Sequence, residues 1–109
     1  MNISETVESL QSDVEVQEIF LNLSMCYCGR SILVASFIKY LDNNGITATQ
    51  RSVNENVSVT ISNKGVAIYG TNSSYVSRIF LKSTTFTVGN AFFTDPAQGT
   101  EKTATIIEW

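Results

Sequence analysis

Residues 31–62 read SILVASFIKYLDNNGITATQRSVNENVSVTIS, and the period of their apolar residues changes partway along. Before Gly45, the residues Leu33, Phe37, Tyr40 and Leu41 fall on one face of a helix that opens at Ser31. Val34 and Ile38 on its flanks are apolar as well, so this helix is expected to be buried on more than one side, as the central core helix. Asn43, Asn44 and Gly45 tolerate a left-handed backbone and stop it. Beyond them Val57, Val59 and Ile61 alternate with Ser58, Thr60 and Ser62, the period-two pattern of a half-buried strand. The expectation is one α+β domain of 109 residues, with a helical part at 1–45 and an antiparallel sheet at 46–109.

Toward the N-terminus, Asn2 or Ser4 can cap a short helix running to about Gln11, with Glu5 and Glu8 where a helix start favours negative charge. Ser12-Asp13-Val14-Glu15 matches a capping box and predicts the start of a second helix, on which Val16, Ile19, Phe20 and Leu23 form one apolar stripe. Gly29 can end it at C′. Toward the C-terminus, strands are expected at Ile46–Val53, Val57–Ile61, Val66–Tyr69, Tyr75–Lys82, Thr84–Val88, Ala91–Thr94 and Thr103–Ile107. Asn63-Lys64-Gly65, Thr71–Ser74 and Gly89-Asn90 are the expected turns. In the strand from Tyr75, Val76 and Phe80 share one face while Tyr75, Ile79 and Leu81 share the other, so both faces are expected to be partly covered. The architecture so assembled has two or three N-terminal helices on one face of a five- or six-stranded antiparallel sheet.

Composition narrows the chemistry. The chain has no histidine, so Ser-His-Asp and Cys-His catalytic groupings cannot form, and Cys26 and Cys28 alone offer soft metal ligands. Cys26-Tyr27-Cys28 does not have redox or metal spacing, and its thiols are read as small core residues in preference to a reactive pair beside Arg30. Gly29-Arg30-Ser31 at a helix start could hold an anion but is read as a solvated turn, since no phosphate-cradling glycine loop exists in the chain. The longest apolar run, Ile32–Ala35, is far short of a membrane span, and the N-terminus has no secretory leader pattern, which sets an expectation of a cytoplasmic protein with reduced thiols. No catalytic residues, no metal and no cofactor are expected.

Charge is uneven. Residues 1–18 carry Glu5, Glu8, Asp13, Glu15 and Glu18 with no Lys or Arg, whereas the seven cations of the remainder stand singly. Scattered cations disfavour direct nucleic-acid binding. An acidic helical face suits a partner protein with a basic surface, and Glu8, Asp13, Glu15 and Glu18 are the residues expected to meet it. Trp109 is a further candidate contact, of a residue type that serves interfaces and core lids alike. The last strand, if it lies at a sheet edge, offers a route to a homodimer. The expected function is therefore a non-enzymatic protein-binding module, an inhibitor or adaptor. Two alternatives stand beside it: a ligand binder or small enzyme with a pocket under the Ser31 helix lined by Tyr27, Tyr40, Tyr69 and Arg78, and a structural subunit that assembles through β-edges. In size and composition the chain resembles small phage-encoded inhibitors, such as anti-CRISPR proteins, and small immunity proteins; the resemblance covers no specific residues and implies action in the host cytoplasm.

Overall fold

A computed structural model describes residues 3–25 and 29–109, with side chains from residue 13 onward. Helix α1 spans Ile3–Ser24 and α2 spans Arg30–Asn43. The strands are β1 Thr49–Asn54, β2 Ser58–Ile61, β3 Gly65–Gly70, β4 Tyr75–Phe80, β5 Thr84–Thr87 and β6 Thr103–Glu108, with a single-turn helix α3, Asn90–Phe93, between the last two. The fold is α+β, and every strand pair is antiparallel.

The six strands divide into a four-stranded sheet of order β1-β6-β3-β4 and a two-stranded sheet of β2 and β5. Composition explains the order. The β3 sequence GVAIYG and the β6 sequence TATIIE are apolar on both faces and occupy the centre, where both faces are covered, whereas the polar TQRSVN of β1 lies at an edge. On one side of the four-stranded sheet, Val66, Ile68 and Ile107 meet Val16 and Phe20 of α1 and Leu33, Val34, Phe37 and Leu41 of α2. On the other side, Ala67, Tyr69, Ala104 and Ile106 meet Val59 and Ile61 of β2, Phe86 of β5, and Phe93 of α3. Both faces of β4 are used as its alternation predicts: Phe80 and Val76 join the second core, Tyr75 and Ile79 the first.

Four expectations are corrected. First, α1 is one helix and not two. Residues 3–24 contain no Gly or Pro, and the Ser12–Glu15 pattern lies inside the helix, with Asp13 paired to Lys64 at 2.5 Å. Second, Asn63-Lys64-Gly65 is not a hairpin. It carries the chain from the small sheet into the large one, and the Lys64 carbonyl accepts from the Trp109 amide. Third, Ala91–Phe93 is helical and Thr94 leaves the helix as its C-cap. Neighbouring side chains on a strand point to opposite faces, yet Phe92 and Phe93 both pack into the aromatic cluster, and their amides both donate to the Gly89 carbonyl. Fourth, the last strand is central, so the open edges of the four-stranded sheet belong to β1 and β4.

Other readings hold. The Gly45 backbone is left-handed at φ 74°, and the Gly45 and Ile46 amides close the end of α2 on the Asp42 and Leu41 carbonyls. Thr71–Ser74 turns β3 into β4. One more expectation is corrected, since Gly29 precedes α2 as its N-cap instead of closing the helix before it.

Candidate functional site

The inner face of α1 is set by Val16 and Phe20, both buried, with Ile19 and Leu23 half-buried beside them. The opposite face has no protein cover. Val14 is 57% exposed, Leu21 49% and Met25 74%. At about 100° of turn per residue, Val14, Glu18, Leu21 and Met25 fall within about 60° of one another. Glu15 and Glu18 are exposed on the flank of this stripe.

The residues expected to meet a partner lie in different surroundings. The Glu8 side chain is outside the described residues. Asp13 is half-buried and held by Lys64, which clips α1 to the β2–β3 connection. Glu15 stands beside the Tyr40 hydroxyl, whose pKa is raised by burial and by this carboxylate. Glu18 has no ion-pair partner among the described residues. Trp109 is half-buried, its ring edge-on to Phe37 with centroids 5.6 Å apart, so it seals the end of β6 against α2. Cys26, Tyr27 and Cys28 lie outside the described residues.

At the start of α2 the backbone amides are already used. Arg30 and Ser31 donate theirs to the carbonyl and side-chain oxygens of Asn72, and the Ser31 hydroxyl donates to the same side-chain oxygen. The Arg30 guanidinium turns to the sheet and donates to the carbonyls of Gly70 and Thr103 at 3.0 and 2.8 Å. Burial lowers its pKa from the ordinary value. This arrangement pins α2 to the ends of β3 and β6 and takes up the Arg30 and Ser31 amides that an anion would need. A shallow cleft of about 260 Å³ beside it is lined by Arg30, Ser31, Val34, Ala35, Gln50 and Thr105.

One polar cluster went unread in the sequence. The Tyr69 hydroxyl, on a ring stacked against Phe93, lies 2.8 Å from Glu55 Oε1 and 2.7 Å from Asn90 Oδ1. Its single proton goes to the carboxylate, the stronger acceptor. Burial and this carboxylate hold the phenol well above its usual pKa. Close by, Lys102 is only 4% exposed; its ammonium donates to the carbonyls of Thr100 and Ala97 at 2.8 and 3.2 Å and pairs with Asp95 at 3.1 Å and Glu55 at 3.7 Å. Three donors meet these acceptors, so the ammonium is fully engaged and acts as a clamp on the loop before β6. The backbone is left-handed at Asn56 and Thr94, the residues following Glu55 and preceding Asp95. An open groove of about 400 Å³ runs past Asn56, Thr87 and the Val88–Phe92 turn. The signal for this cluster was weak, because Glu55 and Asp95 each stand alone among neutral neighbours in the sequence and Lys102 follows another acid, Glu101.

The pocket imagined under α2 does not assemble from its named residues. Tyr40 packs on the helix side of the large sheet, while Tyr69 and Arg78 lie on the other side, where the Arg78 guanidinium sits 4.2 Å above the Phe92 ring. Among the described residues, no three acidic or thiol side chains converge as metal ligands, and no helix is long and apolar enough to cross a membrane. Compared with known proteins, the chain matches no family model, no curated protein and no solved structure.

Proposed function

We propose that this chain is a non-enzymatic protein-binding module, an inhibitor or adaptor that lays the outer face of α1 on a basic surface of a partner protein. The observation that carries the reading is the uncovered stripe of Val14, Leu21 and Met25 with the carboxylates of Glu15 and Glu18 beside it, on a helix that contains no cation. The two features divide the work of recognition. Apolar side chains of this size contribute about 1.5–3 kcal/mol each when moved from full exposure to full burial, so half-exposed ones offer roughly half of that. The carboxylates raise the rate of encounter with a basic surface and select against acidic ones. Occupying such a surface is also the way of acting implied by the resemblance to small phage-encoded inhibitors and immunity proteins.

The reading is tested by affinity capture from the native host with the wild-type chain and with a Glu15→Lys, Glu18→Lys variant. A protein retained in stoichiometric amount by the wild type, lost from the variant and released by raised salt is the expected result. Full retention by the charge-reversed variant removes the acidic face from the function.

A further inference from the structure

We infer that the element docking on α1 is itself an amphipathic helix with Lys or Arg along one flank, and that it packs lengthwise on the seam formed by Val14, Leu21 and Met25. This rests on the protein-binding reading above and specifies its partner. The seam is narrow and straight. Val14 to Met25 spans about 16 Å at a rise of 1.5 Å per residue, all of it on the side of α1 opposite Val16 and Phe20. A docked element therefore leaves the fold undisturbed. The seven-residue step from Val14 to Leu21 is the repeat by which helices pack along each other. A strand or a loop presents its side chains at a different spacing and meets such a seam at single points, whereas a helix meets it along its length.

Charge selects the kind of helix. The 22 residues of α1 include five carboxylates and no Lys or Arg, and Glu18 stands at the edge of the stripe. A second copy of α1 would bring acid against acid, a destabilising arrangement. A helix with cations beside its apolar stripe pairs with Glu15 and Glu18 while burying Val14, Leu21 and Met25, so the seam is complementary to that class and not to itself.

The test uses the full chain and three labelled synthetic peptides of equal length: Leu and Lys at helical spacing, the same composition in strict alternation, and the helical pattern with Glu in place of Lys. Binding is followed by fluorescence anisotropy and the size of the chain alone by sedimentation. The helical Leu/Lys peptide is expected to bind at least about tenfold more tightly than the alternating one, and the Glu peptide not at all. A Val14→Ser, Leu21→Ser variant, altered only at exposed positions, is expected to lose about tenfold with its circular dichroism unchanged. Equal binding of the two Lys peptides, unaffected by this variant, overturns the helical seam and leaves the acidic-face reading standing. Binding that also survives Glu15→Lys, Glu18→Lys overturns both. A chain that is dimeric alone and becomes monomeric in the Val14→Ser, Leu21→Ser variant also overturns the inference, because its own copy then fills the seam.

Discussion

Lys102 is a cation held almost wholly out of water by two carbonyls and one carboxylate of the loop just before it and by the carboxylate of the remote Glu55. Breaking a fully buried ion pair costs about 3–5 kcal/mol, but Glu55 and Asp95 each keep a third of their side-chain surface exposed and can be rehydrated. Lys102→Met is therefore expected to lower stability by about 2 kcal/mol, read from urea denaturation. Tyr69 makes a second, pH-dependent contribution. Its phenol is held above the ordinary value of 10.0 in the native state by burial and by Glu55, whereas an unfolded tyrosine ionises near that value. The unfolded chain then binds fewer protons than the native one at high pH, so this stability is complete below about pH 10 and is lost as pH rises above it. Tyr69→Phe is expected to cost about 1 kcal/mol near pH 8, and the difference in urea midpoint from the wild type to narrow above pH 10. Neither role was legible beforehand. Composition identifies Lys102 as one of seven cations and Tyr69 as a strand aromatic, and only the approach of Glu55, Asn90 and Asp95 gives them their work.

At the scale of elements, periodicity foretold what each segment is wherever one face is apolar and the other polar. The stripe of Val16, Ile19, Phe20 and Leu23 and that of Leu33, Phe37 and Leu41 face the core as spaced. It was less informative about where elements join. A capping box is a local pattern, and inside a segment without Gly or Pro the continuing helix satisfies the same amides. Ser12→Ala tests this: at a true N-cap it costs about 1 kcal/mol, whereas inside α1 it is expected to be neutral or to add slightly to helicity by far-ultraviolet circular dichroism. The position of β6 was equally hidden, since TATIIE reads as a strand in any place. It becomes a central strand because β1 and β3 both have edges to pair and both of its faces are apolar.

For the whole molecule, the four-stranded sheet is the shared wall of two cores, one against the helices and one against β2, β5 and α3. Phe37 and Phe93 lie one in each. Phe37→Ala and Phe93→Ala are each expected to cost about 3–5 kcal/mol. Because the wall is common, Trp109 fluorescence and far-ultraviolet circular dichroism are expected to report coincident transitions in both variants; separate midpoints would show that the cores unfold independently. The acidic head belongs to this scale as well. Its composition was plain in the first eighteen residues, but the surroundings of each carboxylate were not: Asp13 is taken by Lys64, Glu15 stands exposed beside Tyr40, and Glu18 stays open at the edge of the uncovered stripe.

The amino-acid order alone determined the α+β class, the helix faces, the two-sided burial of β4 and the sign of the N-terminal surface, because each follows from the spacing and type of residues near one another along the chain. Only the tertiary structure decided the strand order, the division into two sheets, the Tyr69–Lys102 cluster and the exposure of Val14, Leu21 and Met25. Those depend on which remote segments come to share a face, and the pairing energies that choose among such arrangements act across space between residues with no regular spacing in sequence.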